Sequence, residues 1–266
     1  KLATKININL INLRRIVMSA ETEIKYLLET LSAVKYNRNR FTLFCGDNKF
    51  IFGVFSAKGE DFPIAKSLQY KTIYDTLIDI NQKIHYSFKK AIEYSYSDAL
   101  QNNFNIISNE ISEEEMLAFY YLENAMFRTS SSWDMLAQLY RLYFDINISA
   151  DKVYYKKIFN PQERFCKGFE DKARIIHAYI EESDDTECDG MWKGNHSFVN
   201  GMRNKMTHRN SPNVSVASDF DMNLKSHPCI VLKRTIEDYA VSFKYISEIL
   251  NDIEAKCQEE ITKTLL

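Results

Sequence analysis

Glycine and proline are scarce in this chain, seven and four respectively among 266 residues. Both punctuate loops and turns, so their scarcity excludes a many-turned β fold and predicts long uninterrupted helices. No stretch approaches the roughly 18 consecutive apolar residues of a membrane span, and no charged-then-apolar export signal opens the chain. The five cysteines (Cys45, Cys166, Cys188, Cys229, Cys257) are odd in number and widely spread, with no Cys-x-x-Cys pair. That spacing argues against a disulfide framework and against a zinc knuckle, and it fits a reducing compartment. An excess of one charge sign is also missing: the formal net charge is -2, which gives no global attraction to nucleic acid or anionic membrane. The expectation is a soluble, cytoplasmic protein with no membrane association, able to bury a core from its 45% hydrophobic content without staples.

Ser19, followed by Glu21 and Glu23, predicts a helix running to about Lys35 with Ile24, Leu27, Leu28 and Leu31 on one face. "FTLFCGDNKFIFGVF" then carries two β-prone aromatic runs around Gly46-Asp47-Asn48, the chemistry of a β-hairpin turn. A loop from Gly59 to Pro63 marks the expected boundary between an N-terminal helix and hairpin element, residues 1–60, and a helical bundle, residues 61–266. Arg14-Arg15 ahead of Met18 matches an in-frame translation of a purine-rich ribosome-binding sequence, so residues 1–17 are expected to lie outside the working protein.

Past the boundary the period turns helical. Ile73, Leu77, Ile80, Ile84, Phe88, Ile92 and Tyr96 form one apolar stripe, predicting a helix from about Ser67 to Leu100. Ser112 with Glu115 three residues on reads as a capping box opening a helix to about Phe144. Further helices are expected over about 162–182 and from Pro228 to Lys263, the last with Ile236, Ala240, Phe243, Ile246, Leu250, Ile253 and Cys257 on one face. The fold class is mainly α, four long helices plus a short motif helix, with the small N-terminal helix and hairpin.

The motif helix carries "GMRNKMTHRNSP", residues 201–212. From Gly190 to Ser218 there is no Asp or Glu, while Lys193, Arg203, Lys205 and Arg209 fall inside, so a nearly neutral chain concentrates positive charge here. Asn204 and His208 stand one helical turn apart, and Arg203 lies about 140° round from His208, within reach of its long side chain. Together they suit one anionic group: a neutral imidazole takes a proton from a ribose 2′-hydroxyl, a guanidinium holds phosphoryl oxygens, and an asparagine orients either. Such chemistry needs no metal and no cofactor. A neighbouring stripe on the helix from Ser112 (Glu123, Ser130, Ser131, Asp134 and Gln138, with Arg128 close by) reads either as a wall for the site, supported chiefly by Glu123, Arg128, Ser131 and Asp134, or as a solvated face or a buried salt bridge.

Arg203-Asn204-Lys205-Met206-Thr207-His208 resembles the R-N-x-x-x-H form of the motif of the HEPN superfamily, helical-bundle proteins of RNA-cleaving toxins and antiviral defence systems. "YLENAMFRTSSSWDMLAQ" is similar to the helix packed beside the motif helix in stand-alone bacterial members. The likeness spans roughly residues 65–260. It implies an antiparallel bundle and a metal-independent endoribonuclease leaving a 2′,3′-cyclic phosphate. His208 is then the general acid or base, Arg203 the phosphate holder and Asn204 the orienting residue. Lys205, Arg209 and Lys193 are the candidate RNA contacts. The resemblance also implies a homodimer and a possible antitoxin or regulatory partner.

Two other classes stay open at this level: a non-catalytic module that binds a nucleotide or RNA through the same residues, and a scaffold in which Arg203 and His208 merely cap a helix end closed by Ser211-Pro212. His196 stands between a site role and a core role, and Cys188 lies in the acidic loop "ESDDTECDG", most simply a solvated connection.

Overall fold

The computed structural model describes residues 19–45, 48–51, 63–185, 192–208, 211–217 and 222–265. The architecture is mainly helical, and no helix among the described residues is long and apolar enough to cross a membrane. The chain folds as two compact units, each drawn from three separate stretches: residues 1–33, 86–126 and 179–238 make the first, and residues 34–85, 127–178 and 239–266 the second.

Helix α1 (Ala20–Ala33) opens at Ser19, whose Oγ accepts from the Thr22 amide at 3.3 Å, and it buries Leu27 and Leu31. Strands β1 (Thr42–Cys45) and β2 (Asn48–Ile51) pair antiparallel, with Thr42 opposite Ile51. Residues 1–17, the turn pair Gly46-Asp47 and the loop at 59–62 lie outside the described residues.

Three long helices follow the apolar stripes: α2 (Pro63–Ser95), α4 (Glu113–Tyr143) and α8 (Pro228–Leu265). α2 starts earlier than the stripe predicts because Pro63 suits a first helical position, where its missing N–H costs nothing. It also stops earlier. Ser97 is extended, with φ -65° and ψ 144°, and its hydroxyl accepts from the Leu100 amide at 3.3 Å, so residues expected to continue α2 form a separate short helix, α3 (Asp98–Asn103). The helix expected over 162–182 is likewise cut down to α6 (Glu170–Ile180): Arg164–Cys166 form a 3₁₀ turn and Gly168 takes φ +93°, a left-handed conformation that no helix carries through. A one-turn helix, α5 (Tyr155–Ile158), precedes that turn, and α7 (Asn195–His208) is the motif helix. Strands β3 (Val216–Ala217) and β4 (Met222–Asn223) pair antiparallel after it, two-residue strands too short to leave a period in the sequence.

The second unit has an aromatic core. Trp133 is fully buried with Tyr155 and Tyr245 at ring distances of 6.0 and 6.2 Å, and Tyr140 meets Phe159 at 5.0 Å and Phe169 at 4.9 Å. The first unit is mainly aliphatic, with Leu122, Ile180, Val199, Leu232 and Ile236 all buried, as are Phe88 and Phe119. The half-buried His227 caps α8: the Cys229 amide donates to His227 Nδ1 at 3.3 Å, and the ring stands edge-on to Phe104 at 4.6 Å.

Burial lowers the pKa of His227 from 6.5 to about 4. The unfolded chain therefore binds the proton first as pH falls, and stability drops between about pH 6.5 and pH 4 by up to roughly 3 kcal/mol. Urea denaturation across this range is expected to show the loss, and His227→Gln is expected to flatten it.

Candidate functional site

The motif helix is held rigidly at its start. Gly194, immediately before α7, takes φ +66°, and a Cβ there would stand 2.3 Å from the Ser183 carbonyl oxygen, so only glycine lets the two backbones approach. Its amide donates to Glu182 Oε2 at 3.0 Å, and Ser197 Oγ donates to the Glu182 carbonyl at 2.7 Å. Beneath them lies Arg234 of α8, whose side chain is completely buried. Its Nε donates to Asn195 Oδ1 at 2.9 Å, Nη1 to Asp184 Oδ1 at 2.7 Å and Nη2 to the Lys193 carbonyl at 2.8 Å. The guanidinium also lies 4.0 Å from the Phe198 ring centroid. Burial draws its pKa below the usual arginine value, and Asp184 opposes the shift.

A second buried cluster adjoins it. Asp238 Oδ1 accepts from Tyr179 Oη at 3.1 Å and stands 3.1 Å from His196 Nδ1, while Asn195 Nδ2 donates to Glu237 Oε2 at 2.8 Å. His196 therefore belongs to the core that seats the helix.

Further along α7 the side chains turn outward. Arg203 is half-buried and donates from Nη2 to Asn204 Oδ1 at 3.1 Å, while its Nε is buried without a hydrogen-bond partner among the described residues. Asn204 and Lys205 are exposed, and Lys205 Nζ reaches Asn223 Oδ1 at 3.4 Å. Thr207 Oγ1 folds back on the Arg203 and Asn204 carbonyls. His208 is the last residue of the helix; its side chain and all of Arg209 lie outside the described residues. Lys193 is exposed, its main chain bridged to Asp185. Gly201 faces open space.

The segment that leaves α7 is pinned again. Asn213 Nδ2 donates to Glu123 Oε1 at 2.5 Å, and Asn223 Nδ2 donates to the Val214 carbonyl at 2.6 Å. Lys225, fully buried, donates from Nζ to Glu115 Oε1 at 2.6 Å. Of the four α4 residues expected to support the site, Glu123 shares a unit with the motif helix, whereas Arg128, Ser131 and Asp134 belong to the second unit. Ser131 spends its hydroxyl on the Phe127 carbonyl at 3.2 Å.

Sequence reasoning missed Arg234, Asn195 and Lys225. The available signal for Arg234 was a charged residue within the buried stripe of α8, between Leu232 and Ile236. A shallow depression along α1, lined by Glu21, Ile24, Lys25, Leu28, Glu29 and Ser32, holds none of the motif residues. Among the described residues no three His, Cys, Asp or Glu side chains are grouped as a metal site requires.

The two glycines of this helix predict opposite effects. Gly201→Ala is expected to raise stability by about 1 kcal/mol, because it adds helix propensity in open space. Gly194→Ala is expected to lower it by more than about 1 kcal/mol; thermal denaturation of both variants checks the pair. Burial also raises the Glu123 carboxyl above the usual range, against the pull of the Asn213 hydrogen bond. The folded state then favours the protonated acid, and stability is lost as pH rises through the raised pKa. Glu123→Gln, which keeps an acceptor for Asn213, is expected to melt higher than wild type at pH 7.5, with the gap closing near pH 4.5.

No family model, no curated protein and no solved structure matches the chain.

Proposed function

We propose that the chain is a HEPN-like, metal-independent endoribonuclease that acts in the cytoplasm on RNA as a toxin or antiviral defence effector. The observation that carries this reading is the motif itself: Arg203 and Asn204 joined by a hydrogen bond at 3.1 Å, with His208 one turn beyond Asn204, inside a window free of Asp and Glu. The Nε of Arg203, buried and without a hydrogen-bond partner among the described residues, supports it, since a desolvated guanidinium N–H gains most from an anionic acceptor.

In this mechanism the His208 imidazole takes the proton from a ribose 2′-hydroxyl as the 2′ oxygen attacks phosphorus. The 5′ oxygen leaves with a proton from the paired acid, and the 2′,3′-cyclic phosphate remains. Arg203 holds the non-bridging oxygens as charge builds on them, and Asn204 fixes the guanidinium in its forked orientation. Lys205, Arg209 and Lys193 hold the RNA backbone. The acid for the leaving oxygen comes from a second motif across a homodimer, and a regulatory partner restrains the enzyme.

The test is incubation of end-labelled RNA with purified wild type and His208→Ala in excess EDTA. Wild type is expected to cut and to leave cyclic phosphate ends, and the variant to be slower by at least about 100-fold. Cleavage by both proteins, or by neither, sinks the proposal; RNA held without cleavage, and released by Arg203→Ala, makes the site a binding module.

A further inference from the structure

Away from the motif, the first unit leaves a set of large apolar side chains in solvent: Ile107 is 65% exposed, Ile111 53%, Met116 47%, Tyr120 58% and Val214 42%. Hydrogen bonds bring their chain segments together. Ser215, next to Val214, donates from Oγ to the Ile106 carbonyl at 2.5 Å and exchanges two bonds with the Asn109 side chain at 2.9 and 3.0 Å. Lys225 ties that knot to α4, its amide donating to Ser215 Oγ at 3.3 Å while its ammonium holds Glu115. On α4, Met116 and Tyr120 stand on one face with Glu113, and Glu123, which accepts from Asn213, follows Tyr120 by one turn.

The charge at the α4 end of this surface is acidic, whereas at its other end Lys205 reaches Asn223, whose side chain donates to the Val214 carbonyl. Glu110 and Glu113 are exposed and Glu114 is half-buried, and none of the ion pairs formed among the described residues engages them. Clustered exposed apolar side chains rimmed by charge mark a protein interaction surface. The acids decide what fits, because carboxylates here repel nucleic-acid phosphates and anionic lipid alike.

We infer that the surface of Ile107, Ile111, Met116, Tyr120 and Val214 docks a basic amphipathic segment of a partner protein. The partner's apolar residues, spaced as on one helix face, cover the exposed side chains, and its Lys or Arg residues meet Glu110, Glu113 and Glu114. Val214 and Asn213 belong to the segment that leaves the motif helix, so an occupant touches the chain just beyond His208. The docking does not depend on RNA cleavage.

The probe is a labelled amphipathic Leu-Lys helix of about 18 residues, five turns, with a Leu-Glu helix of the same pattern as its control. Fluorescence anisotropy is expected to show binding of the basic peptide alone, weakened by salt. Tyr120→Ser and the pair Glu113→Lys with Glu114→Lys are each expected to cut affinity about ten-fold or more. Leu28→Ser, on the exposed face of α1, is expected to leave it unchanged. These are surface positions, and circular dichroism confirms that each variant is folded. Equal binding of both peptides, or binding indifferent to the α4 variants, overturns the inference. So does a wild-type dimer that Tyr120→Ser dissolves, which makes the surface a self-interface, or bound RNA that Tyr120→Ser releases. None of these readouts involves cleavage, so failure of the nuclease and failure of the docking surface are separate results.

Discussion

One buried guanidinium holds the candidate site in place. Arg234 sits on α8 with no solvent exposure, and an ion in that position is tolerable only when its N–H groups are matched. They are matched by three different parts of the chain: the Asn195 side chain at the start of α7, the Lys193 carbonyl just before it, and Asp184 from the segment after α6. Asp184 itself is partly exposed, so the loss on removing it falls on the buried guanidinium, whose unmatched N–H costs on the order of 1–3 kcal/mol. The start of the motif helix is thus fixed by a residue that carries none of the motif, and Gly194 completes the fit by admitting the neighbouring backbone.

The motif helix is built asymmetrically. Its first turns are seated on Arg234, Asp238 and Glu237, whereas Asn204 and Lys205 are exposed and the Nε of Arg203 has no partner among the described residues. The chain is gripped again beyond the helix, at Asn213 and Lys225. Fixing both approaches while leaving the middle accessible is what a preorganised binding group requires, since the ordering of the backbone is completed on folding rather than at the moment of binding.

How much of this was legible follows from the range of each interaction. The long helices were legible because burial imposes a 3.6-residue period on them, and Leu77, Ile84, Phe88, Ile246 and Leu250 are indeed buried. Their ends were less so: Ser97 and Gly168 interrupt helices through local backbone geometry that an apolar stripe does not record. Within the motif segment, spacing and the lack of acids were visible, and Arg203, Asn204 and Lys205 do stand half-buried or exposed on one helix. The anchors were not visible, because Arg234 reaches partners 39 and 50 residues away and Lys225 reaches one 110 residues away. The α4 stripe shows the same limit, for a continuous pattern in sequence is divided between two units, with Glu123 in one and Asp134 in the other.

That division bears on how the chain comes into being on the ribosome. Each unit takes its residues from the early, middle and late thirds, so the first lacks its closing stretch until residue 238 has been made and the second until the last helix is complete. A nascent chain halted midway holds two incomplete cores with apolar faces uncovered, the condition under which growing chains need chaperones or aggregate. For the same reason no cut at a single point separates the units, and fragments made by dividing the gene once would each carry parts of both cores and the whole of neither.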